Sequence, residues 1–128
     1  MLVFLTSLLV GPLLSLAQNS TAVSIYGVKP NLIMALLIAY ALVEKDWWRR
    51  IAILLFSNIA LMFGPTFNLQ SVYWIAIMFL IVALLDYLPW NSAANTGASL
   101  IVGILLINLE SLQIPVVVME FIYTTIFL

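Results

Sequence analysis

The 128-residue chain is 66% hydrophobic and 7% charged, with a formal net charge of −1. A soluble domain carries roughly 25% charged residues, so this composition excludes an ordinary water-covered surface and predicts an integral membrane protein; the near-neutral charge excludes a basic nucleic-acid-binding face. Cys and His are both absent, which removes disulfides, thiolate chemistry, histidine ligation of haem, most zinc sites and the commonest general base.

A membrane span takes about 20 residues, so the length allows about five or six with tight turns. The apolar runs are apolar on every face instead of alternating, which selects helices over a β-barrel. The expected architecture is an all-α membrane protein. Residues 1–128 form a single integral membrane domain, a compact bundle of about six short transmembrane helices with both termini cytoplasmic.

Met1 to Ala17 is apolar and interrupted by Gly11-Pro12. A signal peptide wants a basic leading region, and no Lys or Arg precedes Lys29, so this run reads as a retained first span. Ser7, Gly11 and Ser15 recur every fourth residue and form a small-residue stripe suited to close helix contact. Pro12 removes a backbone donor and predicts a kink. Gln18 to Lys29 is a polar loop, in which Asn19-Ser20-Thr21 reads as a chance match to a glycosylation acceptor.

Pro30 to Val43 is the second span, with Pro30 in its first turn and Ala35 and Ala39 on one small-residue face. Glu44 to Arg50 is a short turn that holds Lys45, Arg49 and Arg50, three of the chain's four basic residues. The positive-inside rule puts it in the cytoplasm, with Trp47 and Trp48 at the headgroup level. Two readings stand for it: topology and anchoring alone, or in addition a docking surface for a cytoplasmic partner.

Ile51 to Phe63 is a short third span ended by Gly64-Pro65, and Asn58 is a polar group within it. Ser71 to Leu85 is the fourth span, closed by the acidic and aromatic cluster Asp86-Tyr87-Leu88-Pro89-Trp90. Asn91 to Gly97 reads as a polar cytoplasmic turn and Ala98 to Leu109 as the fifth span. Ser92, Thr96, Ser99 and Gly103 share one stripe that faces another helix. Ile114 to Leu128 is the sixth span, with Pro115 near its start.

Glu120 is the one ionisable residue deep in a predicted span, where a charge costs at least about 2.5 kcal/mol on insertion scales. It pairs with a polar group of another span or a partner, sits protonated and hydrogen-bonded, or lines a substrate or ion path; the first reading is preferred. Asn58, Asn108 and Gln113 read as helix glue. No nucleophile–base pair, phosphate loop or metal cluster can be built, so no catalysis and no cofactor are expected.

Gly27-Val28-Lys29-Pro30-Asn31-Leu32, followed by an apolar span and a short basic turn, resembles the bacterial rod shape-determining protein MreD family. The Gly64-Pro65-Thr66-Phe67-Asn68-Leu69 connector is similar to that family's small-residue turn after its third span. The resemblance runs over about residues 25–108. It implies a non-catalytic, multi-pass scaffold of the bacterial inner membrane. Such a scaffold binds the bitopic protein MreC and links actin-like MreB filaments to the peptidoglycan synthases. Partner contact would then fall on Trp47, Trp48, Arg49 and Arg50 and on the Ser99/Gly103 stripe. The family's fold resembles the substrate-binding subunits of energy-coupling-factor vitamin transporters. That likeness supplies a second reading, a small-solute site built from Asn68, Gln70, Tyr73, Trp74, Asn108, Glu110 and Gln113 near the outer face. A self-assembling membrane protein such as a phage lysis protein is the third.

Overall fold

A computed structural model describes residues 1–19, 24–62 and 69–128. The described residues form six helices and no strand: α1 (Leu2–Asn19), α2 (Leu32–Val43), α3 (Trp47–Met62), α4 (Leu69–Tyr87), α5 (Ser92–Ile107) and α6 (Ile114–Phe127), with a 3-10 turn at Leu109–Ser111 before α6. Ser20 and Thr21 of the glycosylation-type triplet lie outside the described residues, as do the Gly64-Pro65 stop and the connector through Asn68.

Side-chain caps set the starts of α2, α3 and α5 and move the expected boundaries there. Asn31 accepts the Met34 amide at 3.1 Å and caps α2, so Pro30 precedes the helix instead of opening it. Asp46 accepts the Trp48 amide at 2.9 Å, which draws Trp47 to Arg50 into the first turn of α3 instead of leaving them in the loop. Asn91 accepts the Ala94 amide at 2.8 Å, so residues 92–97 are helical and α5 begins six residues before the expected start. Pro12 lies inside α1 without ending it. Ahead of α2, Tyr26 at φ 52° and Gly27 at φ 80° make a two-residue turn. Ile25 and Val28 close it by exchanging backbone hydrogen bonds of 2.9 and 3.0 Å. Two successive positive φ values are the signature of a type I′ turn, the position where Gly costs least.

Contacts between helix ends show that the first five helices alternate in direction. Gln18 at the end of α1 accepts the Ile33 amide at the start of α2. Arg50 at the start of α3 reaches the last carbonyls of α2 and the Asp86 carboxylate at the end of α4. Asn95 in α5 donates to the carbonyls of Leu85 and Leu88. At the opposite end the Tyr73 hydroxyl of α4 donates to Leu106 O of α5 at 2.9 Å. The bundle thus has a charged end, built from residues 44–50 and 86–95, and a distal end, where α2 begins and α5 stops.

The sixth helix departs from the alternation. Among the described helices it packs on α2 and α5. Thr124, near its close, accepts the Asn31 amide at the distal start of α2. Its second half therefore stays at the end of the bundle where α5 stops. The expected return of the last helix to the charged end, with both termini on one side, is not what forms: Glu120 and Thr124 are its only buried residues, and both hold it to polar groups of the distal end.

α2 is the central helix, apolar on all sides, and most of it is buried. Ile33, Met34, Leu37 and Ile38 meet Ile53 of α3, Met78 and Ile81 of α4, and Leu100 and Ile104 of α5 in one continuous core. Two of the small-residue stripes lie at close helix contacts. Ser7, Gly11 and Ser15 are buried, and a Cβ on Gly11 would overlap Ser57 Oγ of α3 and stand 3.3 Å from its Cα. A Cβ on Gly103 would overlap Ile81 and stand 3.0 Å from Met34 Sδ. Among the described residues no helix is long and apolar enough to cross a membrane. The 12 residues of α2 rise about 18 Å at 1.5 Å per residue, against about 30 Å of bilayer hydrocarbon.

Candidate functional site

The charged end is built around Arg50. Its side chain is 1% exposed, and a buried guanidinium requires both a counter-charge and acceptors for its fixed fork of donors. The fold supplies a counter-charge and two carbonyl acceptors. Nη1 donates to Asp86 Oδ2, Nη2 donates to Ala41 O at 2.6 Å and Nε donates to Glu44 O at 2.6 Å. The two carbonyls belong to the end of α2, where no following helical amide can reach them, so Arg50 caps α2 while fastening α3 to α4. The indole of Trp47 lies 5.7 Å from Arg50 Cζ, within cation–π range, and 5.7 Å from the Phe79 ring of α4.

The remaining charges form a more open shell. Arg49 Nη1 donates to Glu44 Oε2 at 2.8 Å, and its Nε lies 3.6 Å from Asp46 Oδ2. Glu44 Oε1 also accepts the amides of Lys45 and Asp46. The Arg49 hydrogen bond, followed by the Asp46 amide, holds the Glu44 carboxyl below its ordinary range. Lys45 Nζ lies 3.9 Å from Asp86 Oδ1, its side chain 73% exposed. Trp48, 81% exposed, projects from this shell, and Tyr87 and Trp90 are exposed beside it.

The expected contact residues therefore separate. Trp48 and Arg49 are accessible. Trp47 is half-buried against Phe79 and Arg50. Arg50 is committed inside the fold and offers nothing to a partner. Ser99 and Gly103 are buried, with Gly103 against Ile81 and Met34. Their stripe serves internal packing, because only a residue without a large side chain lets α5 approach α2 and α4 so closely.

At the distal end Glu120 Oε2 accepts Asn108 Nδ2 at 2.7 Å, and the same Nδ2 lies 2.9 Å from Ile104 O. This is the preferred sequence reading of Glu120, a pairing with a polar group of another helix. Asn58 is buried and donates to Leu54 O of its own helix at 2.7 Å, a role confined to α3. The polar groups of the small-solute reading do not converge. Asn108 serves Glu120, Tyr73 serves Leu106 O, Glu110 and Gln113 are exposed, and Asn68 and the Gln70 side chain lie outside the described residues. A groove of about 220 Å³ between α5 and α6 is lined by Ile101, Ile104, Leu105, Val117, Val118 and Phe121, all apolar. Among the described residues no three acidic side chains gather as metal ligands.

Sequence reasoning missed Asp86 as the partner of Arg50, and it missed the Asn31–Thr124 link. The first had a usable signal: helix parity alone puts residues 86–90 at the same end as residues 44–50. The second had none, because it depends on the slant of α6. Comparison with protein-family models, with curated proteins and with solved structures finds no match.

Proposed function

We propose that the chain is a membrane-embedded, non-catalytic helical scaffold of the bacterial cell-elongation machinery, of the MreD kind, that holds an MreC-like bitopic partner in the inner membrane. The observation that carries the membrane part is a largely apolar outward surface around a body that also buries polar groups. Arg50, Asn58, Ser99, Glu120 and Thr124 are buried. The outward faces carry Leu9 and Leu13 of α1, Phe79 and Leu80 of α4, Ile101 and Leu105 of α5, and Ile122 and Ile126 of α6. A water-soluble monomer rarely exposes contiguous apolar surface beyond a few hundred Å², whereas lipid tails solvate such a surface.

The scaffold part is supported by the resemblance over Gly27 to Leu32 and by how those residues work. The Tyr26-Gly27 turn and the Asn31 cap launch α2, the helix on which the others pack. The small-solute reading draws no support from Asn108, which is spent within the fold. In its host, depletion of the protein is expected to turn rods into round or swollen cells, and an MreC-like protein is expected to co-purify with the wild-type chain. Trp48→Ala with Arg49→Ala should weaken that co-purification without changing the helical content. Normal rods on depletion, or full recovery of the partner with the double variant, would count against the scaffold or its docking surface respectively. A sidedness reporter inserted after Lys45 tests the cytoplasmic placement of the charged end.

A further inference from the structure

We propose that the bundle is matched to a thin bilayer, and that its lipid partner is a hydrocarbon layer of short acyl chains; this rests on the membrane reading above. Three helices carry polar markers at both ends of the bundle. α2 is bounded by its caps Asn31 and Glu44. α5 carries Asn95, bonded to Leu85 O and Leu88 O, and Asn108, bonded to Glu120. α4 carries Tyr73, bonded to Leu106 O, and Asp86, bonded to Arg50.

In each helix the two markers stand thirteen positions apart, a rise of about 20 Å at 1.5 Å per residue. Measured between the residues whose groups bond across the bundle at each end, helices of 12, 19 and 16 residues give one spacing. That agreement points to a property of the bundle and not to one short helix. The most exposed aromatic side chains lie outside this interval: Trp48 and Tyr87 at the charged end, 81% and 80% exposed, and Tyr26 before α2, 92% exposed. Amphipathic rings of this kind settle at the membrane–water interface. The outward residues between them, Leu80, Ile101 and Leu105 among them, are apolar.

An apolar band of about 20 Å falls some 10 Å short of an ordinary bilayer core of about 30 Å. Tilting relieves a span that is too long and cannot relieve one that is too short, which a thinner lipid layer accommodates directly. α6 does not extend the band, because Asn108 and Asn31 hold it at the distal end.

The test uses the full chain reconstituted into phosphatidylcholine vesicles whose monounsaturated chains run from fourteen to twenty-two carbons. Trp47, Trp48, Trp74 and Trp90 serve as native fluorophores, and brominated lipids of each length as quenchers. The relative lipid-binding constant is expected to be highest at fourteen carbons and to fall about threefold by twenty-two as the mismatch grows. An optimum at eighteen carbons or longer, or equal constants at every length, overturns the proposal and leaves the membrane reading standing. Absence of quenching in every vesicle overturns both.

Discussion

Removing the Arg50 guanidinium tests whether the charged end holds the bundle together. Arg50→Met keeps the length and apolar stem of the side chain and deletes its donors. Losing one member of a buried ion pair costs about 3–5 kcal/mol, mostly because the other charge is stranded. Asp86 is not fully stranded: its side chain is 28% exposed and Lys45 Nζ lies 3.9 Å away, so water and a screened cation recover part of the loss. Against that, Ala41 O and Glu44 O each lose a 2.6 Å donor at a helix end without substitutes, worth about 1 kcal/mol apiece. The balance is a loss of about 3 kcal/mol. Asp86→Leu leaves the more deeply buried Arg50 without its anion and is expected to cost somewhat more, about 4 kcal/mol. Arg50→Met/Asp86→Leu strands no charge and recovers much of the loss, giving a coupling of about 2 kcal/mol. Reversible denaturant unfolding of the purified protein, followed by tryptophan fluorescence, measures all three, with Trp47 as a local reporter of Arg50. Losses that simply add in the double variant, or an Arg50→Met protein as stable as the parent, would refute the reasoning.

Three further expectations follow from the same geometry. Gly11→Val forces α1 off α3 because its side chain meets Ser57 backbone as well as side chain. A loss of about 1–3 kcal/mol is expected, together with faster maleimide labelling of a Ser57→Cys reporter in this cysteine-free chain. Asn108→Leu removes the donor to Glu120 and should cost about 1–3 kcal/mol while making α6 more sensitive to limited proteolysis; unchanged cleavage would sink the tether. Glu44 has its folded pKa lowered by Arg49, so its contribution to stability is present above the unfolded carboxylate pKa and is lost as pH falls through the depressed folded value. The stability difference between wild type and Glu44→Gln should therefore close on the acid side only, and a difference that closes with rising pH would contradict the assignment.

Helix existence was legible because six apolar runs were separated by polar or proline-bearing segments, and all six helices form. Boundaries were less legible, for one physical reason at α3 and α5. Polar residues were read as loop, whereas Asp46 and Asn91 use short side-chain acceptors to satisfy the first amides and so carry the helix into polar sequence. The stripes at Ser7/Gly11/Ser15 and Ser99/Gly103 located real close contacts, since backbone proximity needs small residues whatever the partner. What they could not tell was whether the partner helix lay in this chain or another. The path of α6 was illegible: two polar residues among apolar ones decide it, and hydropathy alone treats that pattern as one more span.

The charged end changes most between sequence and structure. The turn that holds Lys45, Arg49 and Arg50 reads as basic in the sequence, and Asp86 lies far off in the chain. In the fold each cation has an acidic neighbour, Asp86 for Lys45 and Arg50, Glu44 and Asp46 for Arg49, and the end is close to neutral. A partner attracted by charge alone would have to compete with ion pairs already formed, and exposed pairs of this kind yield about 0–1 kcal/mol. The exposed indole of Trp48 has no such competitor, and burying an aromatic of that size is a large favourable term at an interface. In the docking proposed for this end, Trp48→Ala should therefore cost more affinity than Arg49→Ala. Raising the salt concentration should weaken the Trp48→Ala variant no more than the wild type, a comparison that separates an apolar anchor from an electrostatic one.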